Sequence, residues 1–349
     1  MMTERMCRPR TLVTALFLVV AQLVGAGDAA AQQYRVPKSV PSKCRKDAAT
    51  RIQSWIDSAP DGATLRFERG ACYRVERTLE FQNRRLTFDG NGATFKSFKR
   101  PEDQRAMWRA WDSTVTFSSM TLVGPYAHGG VIDYELQHAH GIDLRGTDAT
   151  IRKVAMSDLA GDCVYFGLGT DGSSGLVRHS WCRRISRNAV SVTAGNDIWV
   201  TRMRTRRIGH IVFDVEPNEG TDVGASRVTF DSNAIVKPYW LMAYAVIANA
   251  PVSDQAFTNN RIIGQGLEIG VVDRAFRPQN VTIAGNSSDT PGSPPAMNIY
   301  GVDGLTVSGN DLPLKGGTLA QIFDSCGVSV FGNSYPGGEV EAEITELAC

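Results

Sequence analysis

Apolar and polar residues alternate in short runs along most of the chain, and turn residues close each run. In the C-terminal half the pattern repeats: Val228-Thr-Phe-Asp-Ser-Asn233, Ala256-Phe-Thr-Asn-Asn260, Val281-Thr-Ile-Ala-Gly-Asn286, Leu305-Thr-Val-Ser-Gly-Asn310 and Val328-Ser-Val-Phe-Gly-Asn333 each read as a strand ending in Asn. The Asn positions recur roughly every 23 to 27 residues, a period that marks stacked repeats. Similar strands stand earlier at Leu86-Thr-Phe, Val115-Thr-Phe, Thr150-Ile-Arg and Ile198-Trp-Val. A second ladder lies between them, at Gly141-Ile-Asp-Leu, Cys163-Val-Tyr-Phe, Ala189-Val-Ser-Val, Ile211-Val-Phe-Asp-Val, Ala245-Val-Ile-Ala, Gly266-Leu-Glu-Ile and Met297-Asn-Ile-Tyr.

Period-two alternation means one buried and one open face. The strands are separated by turns, with no long amphipathic helices between them, which excludes a βαβ fold. One coil cannot bury its apolar face alone, so coils stack about 4.8 Å apart. The predicted fold is all-β, a single-stranded right-handed parallel β-helix. Asn tolerates left-handed backbone and bonds to an Asn one coil on, so Asn233, Asn286, Asn310 and Asn333 read as a structural ladder. The one good helical pattern runs from Asp47 to Ala59, with Ile52, Trp55 and Ile56 on one face, and reads as an N-terminal capping α-helix.

The ends of the chain add an address. Arg5, Arg8 and Arg10 precede an apolar stretch from Leu12 to Val24, and Ala29-Ala30-Ala31 follows as a small-residue cleavage site before Gln32. The stretch is short for a bilayer span, which needs about 20 apolar residues. The expected organisation is a signal peptide at 1–31, an N-terminal segment with the capping helix at 32–80, the β-helix at 81–337 and an acidic C-terminal cap at 338–349. The expected location is secreted, extracellular or periplasmic. Seven Cys agree with export: beyond Cys7, the other six fall as near pairs, and proximity suggests Cys44–Cys72, Cys163–Cys182 and Cys326–Cys349. Lys+Arg at 37 against Asp+Glu at 36 leaves no basic excess to expect nucleic acid. A monomer without a membrane span is expected.

Gly70-Ala-Cys-Tyr-Arg-Val-Glu-Arg-Thr-Leu, followed by Leu86-Thr-Phe-Asp-Gly-Asn-Gly-Ala-Thr-Phe95, resembles the opening coils of the pectate-lyase-like β-helix superfamily. In the middle, Gly161-Asp-Cys-Val-Tyr-Phe resembles the Asp-Asp-Cys-Ile motif of polygalacturonases. The resemblance implies a disulfide from Cys163 to Cys182, the latter shortly before Asn188-Ala-Val-Ser-Val. Departures are many. Gly161 replaces one of the family's paired acids, leaving Asp162. His138-Ala-His140 stands for Asn-Thr-Asp, and Asn188 stands for His. Asp214-Val-Glu216 stands where the family has Arg-Ile-Lys. Acids in place of cations would repel a polyuronate, so pectic acid is not the expected substrate.

Alternation through Ile211-Val-Phe-Asp-Val-Glu predicts Ile211, Phe213 and Val215 inward and Val212, Asp214 and Glu216 outward. Two residues along a strand is about 6.6 Å, near the separation of about 5 to 9.5 Å at which paired carboxyls flank a glycosidic bond. One would stay protonated as general acid. Positions 140, 162, 188 and 214 are spaced by about one coil and predict a single groove. The candidate catalytic residues are Asp162, Asp214 and Glu216. The candidate substrate-binding residues are His140, Asp143, Tyr165, Arg187, Asn188, His210, Tyr239, Trp240 and Tyr244, with Ser191 and Thr193 on the same wall. The three acids also read as surface or turn-capping residues.

The leading expectation is a secreted enzyme that hydrolyses glycosidic bonds of a polysaccharide or oligosaccharide without a cofactor. The alternatives are a polysaccharide lyase and a non-catalytic glycan-binding β-helix. A lyase needs a base and a cation that stabilises an enolate. Arg187, Arg145 or His210 would serve, or calcium held by Asp143, Asp162, Asp214 and Glu216.

Overall fold

Residues in left-handed backbone end many strands of this chain and bend others within their length. The computed structural model describes residues 33–346 except 101–104, 127–130, 219–220, 238–241, 265–267 and 274. In it, left-handed backbone at Lys153, His179, Arg202, Ser232 and Asn259 turns the chain at equivalent places in successive coils. The result is a right-handed parallel β-helix with three faces. The first face includes Gly195–Thr201, Ala225–Asp231, Val252–Thr258, Gln279–Ala284 and Asp303–Ser308. The second includes Trp181–Ile185, Arg204–Ile208, Ala234–Val236 and Arg261–Ile263. The third includes Trp108–Trp111, Ile142–Arg145, Val164–Gly167, Val190–Val192, Phe213–Val215 and Met242–Ala248. Neighbouring strands pair in parallel, as in Val190↔Phe213 and Val192↔Val215.

Register stacks like on like inside the coil. Ile142, Val164, Val190, Phe213 and Tyr244 form one inward column of the third face, and all five are buried in the common core. Phe213 stacks on Phe230 across the interior at 4.7 Å between ring centroids, and Tyr244 on Phe257 at 4.9 Å. Each fully buried Phe contributes roughly 1.5–3 kcal/mol, and such rings recur from coil to coil.

The asparagine ladder is present. Asn233 Nδ2 donates to Asn260 Oδ1, Asn260 to Asn286 and Asn286 to Asn310, each at 3.0 Å, and Asn310 donates to Asn333 at 2.9 Å. Each Oδ1 also accepts the backbone N–H of the preceding rung, as from Asn260 N to Asn286 Oδ1. One side chain therefore satisfies groups of two coils in a turn where sheet bonding stops.

At the N-terminal end, helix Ala49–Ser58 buries Ala49, Ile52, Trp55 and Ile56. Asp47 Oδ1 accepts from Ala49 N at 3.0 Å at its start, and Trp55 meets Phe67 edge-on. Val340–Glu346 pairs in parallel with Thr318–Phe331 as a further strand of the third face. Disulfides join Cys44 to Cys72 and Cys163 to Cys182, with Cα atoms 5.0 and 6.1 Å apart. The third expected bridge involves Cys349, outside the described residues, as do the expected signal and its cleavage point.

Candidate active site

In the turn from the second to the third face, three side chains take the place of main-chain bonding. His140 Nδ1 accepts the Asp162 amide at 3.0 Å, Asp162 Oδ1 accepts the Asn188 amide at 3.0 Å, and Asn188 Oδ1 accepts the Ile211 amide at 3.0 Å. This is the logic of the asparagine ladder with three different acceptors. The aligned position in the next coil is thus Ile211. The even spacing expected for 140, 162, 188 and 214 holds for the first three and fails at the last, because the next coil is shorter. Asp214 lies three residues beyond Ile211, within Phe213–Val215.

Asp214 belongs instead to the outward column of the third face, in register with Asp143, Tyr165 and Ser191. The two columns meet at Asn188, whose Nδ2 donates to Asp214 Oδ2 at 2.9 Å and to Ser191 Oγ at 3.0 Å. The strand begins at Phe213, so Val212, expected outward, is in the core. The chain bends before that residue, and alternation does not carry across the bend.

Outward did not mean exposed. Asp162 and Asp214 are 0% and 1% exposed, and Tyr165 and Ser191 are also buried. Tyr165 lies flat on His140 at 4.6 Å between centroids, and the Arg145 guanidinium covers it at 4.7 Å. Thr193 Oγ1 donates to its hydroxyl at 2.7 Å. Glu216, Arg187 and His210 are half-buried, and His138 is exposed. Arg187 is the cation of the cluster. Its Nη1 meets Asp162 Oδ2 at 3.0 Å. Asp162 raises the proton affinity of the guanidinium most; burial opposes this, and Asp214, Tyr165 and Glu216 add to it.

The electrostatics set two groups apart. Burial, then Glu216, push the Asp214 carboxyl up to about 8, with Arg187 and Asn188 opposing. It is therefore protonated at neutral pH. Burial holds the His140 imidazole down at about 3 against the pull of Asp162. The 3.4 Å approach of His140 Nδ1 to Asp162 Oδ2 is accordingly no ion pair, since a neutral ring that accepts at Nδ1 carries its proton at Nε2. Burial and Arg187 lower His210, and burial lowers His138.

Other expected residues fall elsewhere. Tyr244, expected to face a sugar, is in register with Phe213 and points into the core. Asp143, expected as a substrate or calcium ligand, is clamped by Arg109 Nε at 2.8 Å and Arg145 Nε at 2.7 Å. Two guanidiniums already occupy the oxygens a calcium ion would need, and the described residues hold no group of three or more His, Cys, Asp or Glu placed to bind a metal. Tyr239 and Trp240 lie outside the described residues. Arg109 was not anticipated; its signal is the outward position one coil before Asp143. Gly161, where the resemblance has an acid, admits no side chain: a Cβ would stand 2.7 Å from the Ala139 carbonyl carbon and 2.8 Å from His140 Nδ1.

The chain matches no protein-family model and no curated relative. Solved structures share its fold. The Streptococcus pneumoniae surface protein and adhesin PfbA superposes with TM-score 0.65 at 13% identity, over 90% of this chain and 100% of that one. DFA-IIIase from Arthrobacter chlorophenolicus A6 gives 0.58 at 12%, over 87% and 84%. The Yersinia enterocolitica family 28 exopolygalacturonase gives 0.53 at 9%, over 90% and 78%. At these identities the likeness is one of fold, and the chain shares its right-handed parallel β-helix with an adhesin and with enzymes alike.

Proposed function

We propose that this protein is a secreted enzyme that hydrolyses a glycosidic bond of a polysaccharide or oligosaccharide at the third face, with Asp214 as general acid and Glu216 as base. One observation carries the reading: Asp214 Oδ1 is buried without a hydrogen-bond partner, beside Asn188, which donates to its other oxygen, while Asp162 pairs with Arg187 at 3.0 Å and Arg187 also feels the charges of Asp214 and Glu216. A carboxyl that keeps its proton at neutral pH and has an unused oxygen suits protonation of a leaving group, once the side chains that cover it move aside to admit the sugar. In the step proposed, the Asp214 proton passes to the glycosidic oxygen as its bond to the anomeric carbon breaks. A water adds to that carbon and loses a proton to Glu216. Arg187 holds Asp162 and orients the cluster.

A second reading, a non-catalytic glycan-binding β-helix, is favoured by the turn ladder. His140, Asp162 and Asn188 each have a structural partner whether or not a sugar is present. A glycan panel separates the readings. New reducing ends without absorbance near about 235 nm indicate hydrolysis, and absorbance there indicates β-elimination. Binding with neither leaves the module.

A further inference from the structure

The second face carries a different charge from the third. In its outward columns Trp181 is in register with Arg204, and Arg183 with Arg206. Arg204 is followed by Ala234 and then Arg261. At the end of these strands a turn column of left-handed residues runs Asp158, Arg184, Arg207, Lys237 and Gly264. At the start, Lys153, His179 and Arg202 occupy the equivalent left-handed places. Cations thus stand in adjacent coils about 4.8 Å apart, where like charges repel.

Little on the protein answers this charge. Arg184 is held by Asp158, and the Arg183 guanidinium lies over Trp181, 5.5 Å from the ring centroid. Among the described residues Arg183, Arg204, Arg206, Arg207 and Lys237 form no ion pair. Asp231 beside Arg202 is engaged by Asn259, Ser232 and Thr258. The backbone supplies a separate argument. Left-handed positions favour Gly, Asn or Asp, yet Lys153, Arg184, Arg202, Arg207 and Lys237 fill those flanking this face. Among the described residues the remaining Lys or Arg with positive φ, Arg227, is paired with Asp197 on the first face. Long cations are kept where local preference and mutual repulsion both disfavour them.

We propose that the second face binds an acidic polysaccharide, carrying carboxylates or sulfates, laid along the helix axis. Columns of cations one coil apart match a linear polymer with one charge every sugar or two. Trp181, 38% exposed, offers a ring against which a sugar can lie. Among the described residues Trp181 is the one exposed ring in these outward columns, whereas single-stranded nucleic acid uses a series of stacking platforms. The binding is independent of the carboxyl cluster on the third face.

The test compares the full chain with a triple variant, Arg204→Ser, Arg207→Asn and Lys237→Asn, against alginate, dextran sulfate, neutral dextran, an oligothymidylate and anionic phospholipid vesicles. Asn suits the left-handed backbone at 207 and 237, so the melting temperature should be unchanged or higher and loss of fold is not a confounder. The expected result is salt-sensitive binding of alginate, dextran sulfate or both, no binding of dextran, and at least about a tenfold loss with a shallower salt dependence in the variant. The single variant Trp181→Ala should weaken the polysaccharide without changing that salt dependence. Absence of binding to both acidic polysaccharides overturns the proposal, as does a triple variant that binds like the parent. Oligothymidylate or vesicles bound as tightly as the polysaccharides overturns the assignment of the partner.

Discussion

Asn188 Nδ2 donates to Asp214 Oδ2 at 2.9 Å and leaves Asp214 Oδ1 buried without a partner. A charged carboxylate in that place would need more donors than Asn188 and the nearby Arg187 supply. The group instead keeps its proton, at about 8, and this makes it the distinctive titrating residue of the third face.

Replacing Asp214 with Asn is predicted to preserve the fold and abolish turnover. The folded acid binds its proton more tightly than the unfolded chain, whose Asp titrates near 3.8. Its stabilisation is therefore complete below about pH 4 and is lost as pH rises toward about 8. Asn removes that loss, so thermal melts of Asp214→Asn should exceed those of the parent at pH 8 and converge with them near pH 4. A variant that melts below the parent at pH 8 would contradict a raised Asp214 carboxyl.

His140 has the opposite sign. Its folded value of about 3 lies below the ordinary 6.5, so its contribution is complete above about pH 6.5 and is lost as pH falls toward about 3. Between about pH 4 and pH 6.5 the Asp214 and His140 slopes oppose one another, one proton against one, and the lowered His138 and His210 act on the His140 side just below about pH 6.5. Stability should therefore change less with pH in this window in the parent than in Asp214→Asn, and His140→Asn should soften the acid limb while still accepting the Asp162 amide. His140→Ala leaves that amide unsatisfied and should cost about 1–3 kcal/mol in denaturant titrations.

Arg187→Met strips Asp162 of its ion-pair partner in a buried setting. The expected cost is about 3–5 kcal/mol by denaturant unfolding at pH 7. The double change with Asp162→Asn should recover much of it, because Asn can still accept the Asn188 amide. No recovery would mean that the pair is not what Arg187 contributes.

Asn286 stands mid-ladder. It donates to Asn310 and to the Phe257 carbonyl and accepts from Asn260. Asn286→Ala should cost at least about 2 kcal/mol, more than Asn333→Ala, whose equivalent bonds to Asn310, Val307 and Glu341 are only part-buried. Equal costs by chemical denaturation would contradict the view that burial sets what each rung contributes.

Gly161→Asp, which restores the acid of the resembled motif, should destabilise rather than activate. Its Cβ meets the Ala139 and Gln137 backbone and His140 Nδ1 within 2.8 Å. A lower melting temperature and an altered His140 imidazole signal by nuclear magnetic resonance are expected; gained activity with an unchanged melt would overturn this.

Much of this was legible in the chain. The Asn period and the alternating runs give the coils, the ladder and the helix, because stacking repeats each local rule at a readable interval. The site was less legible. Counting by the coil brought 140, 162 and 188 together correctly and misplaced 214, because a coil shortened in one turn shifts everything after it. Alternation gave the direction of Tyr165, Ser191 and Asp214 but not their burial, which depends on side chains such as Arg145 and Arg187 folding over the wall. Tyr244 went astray because its direction is set by register with Phe213, and an intervening loop hides that register from the sequence.

The most direct test is mass analysis of products formed from the active glycan in heavy-oxygen water. Hydrolysis with Asp214 as acid and Glu216 as base predicts one heavy oxygen at each new reducing end, and loss of the product in Asp214→Asn and Glu216→Gln. Undiminished product from both variants, or products lighter by one water with no heavy oxygen, would contradict it.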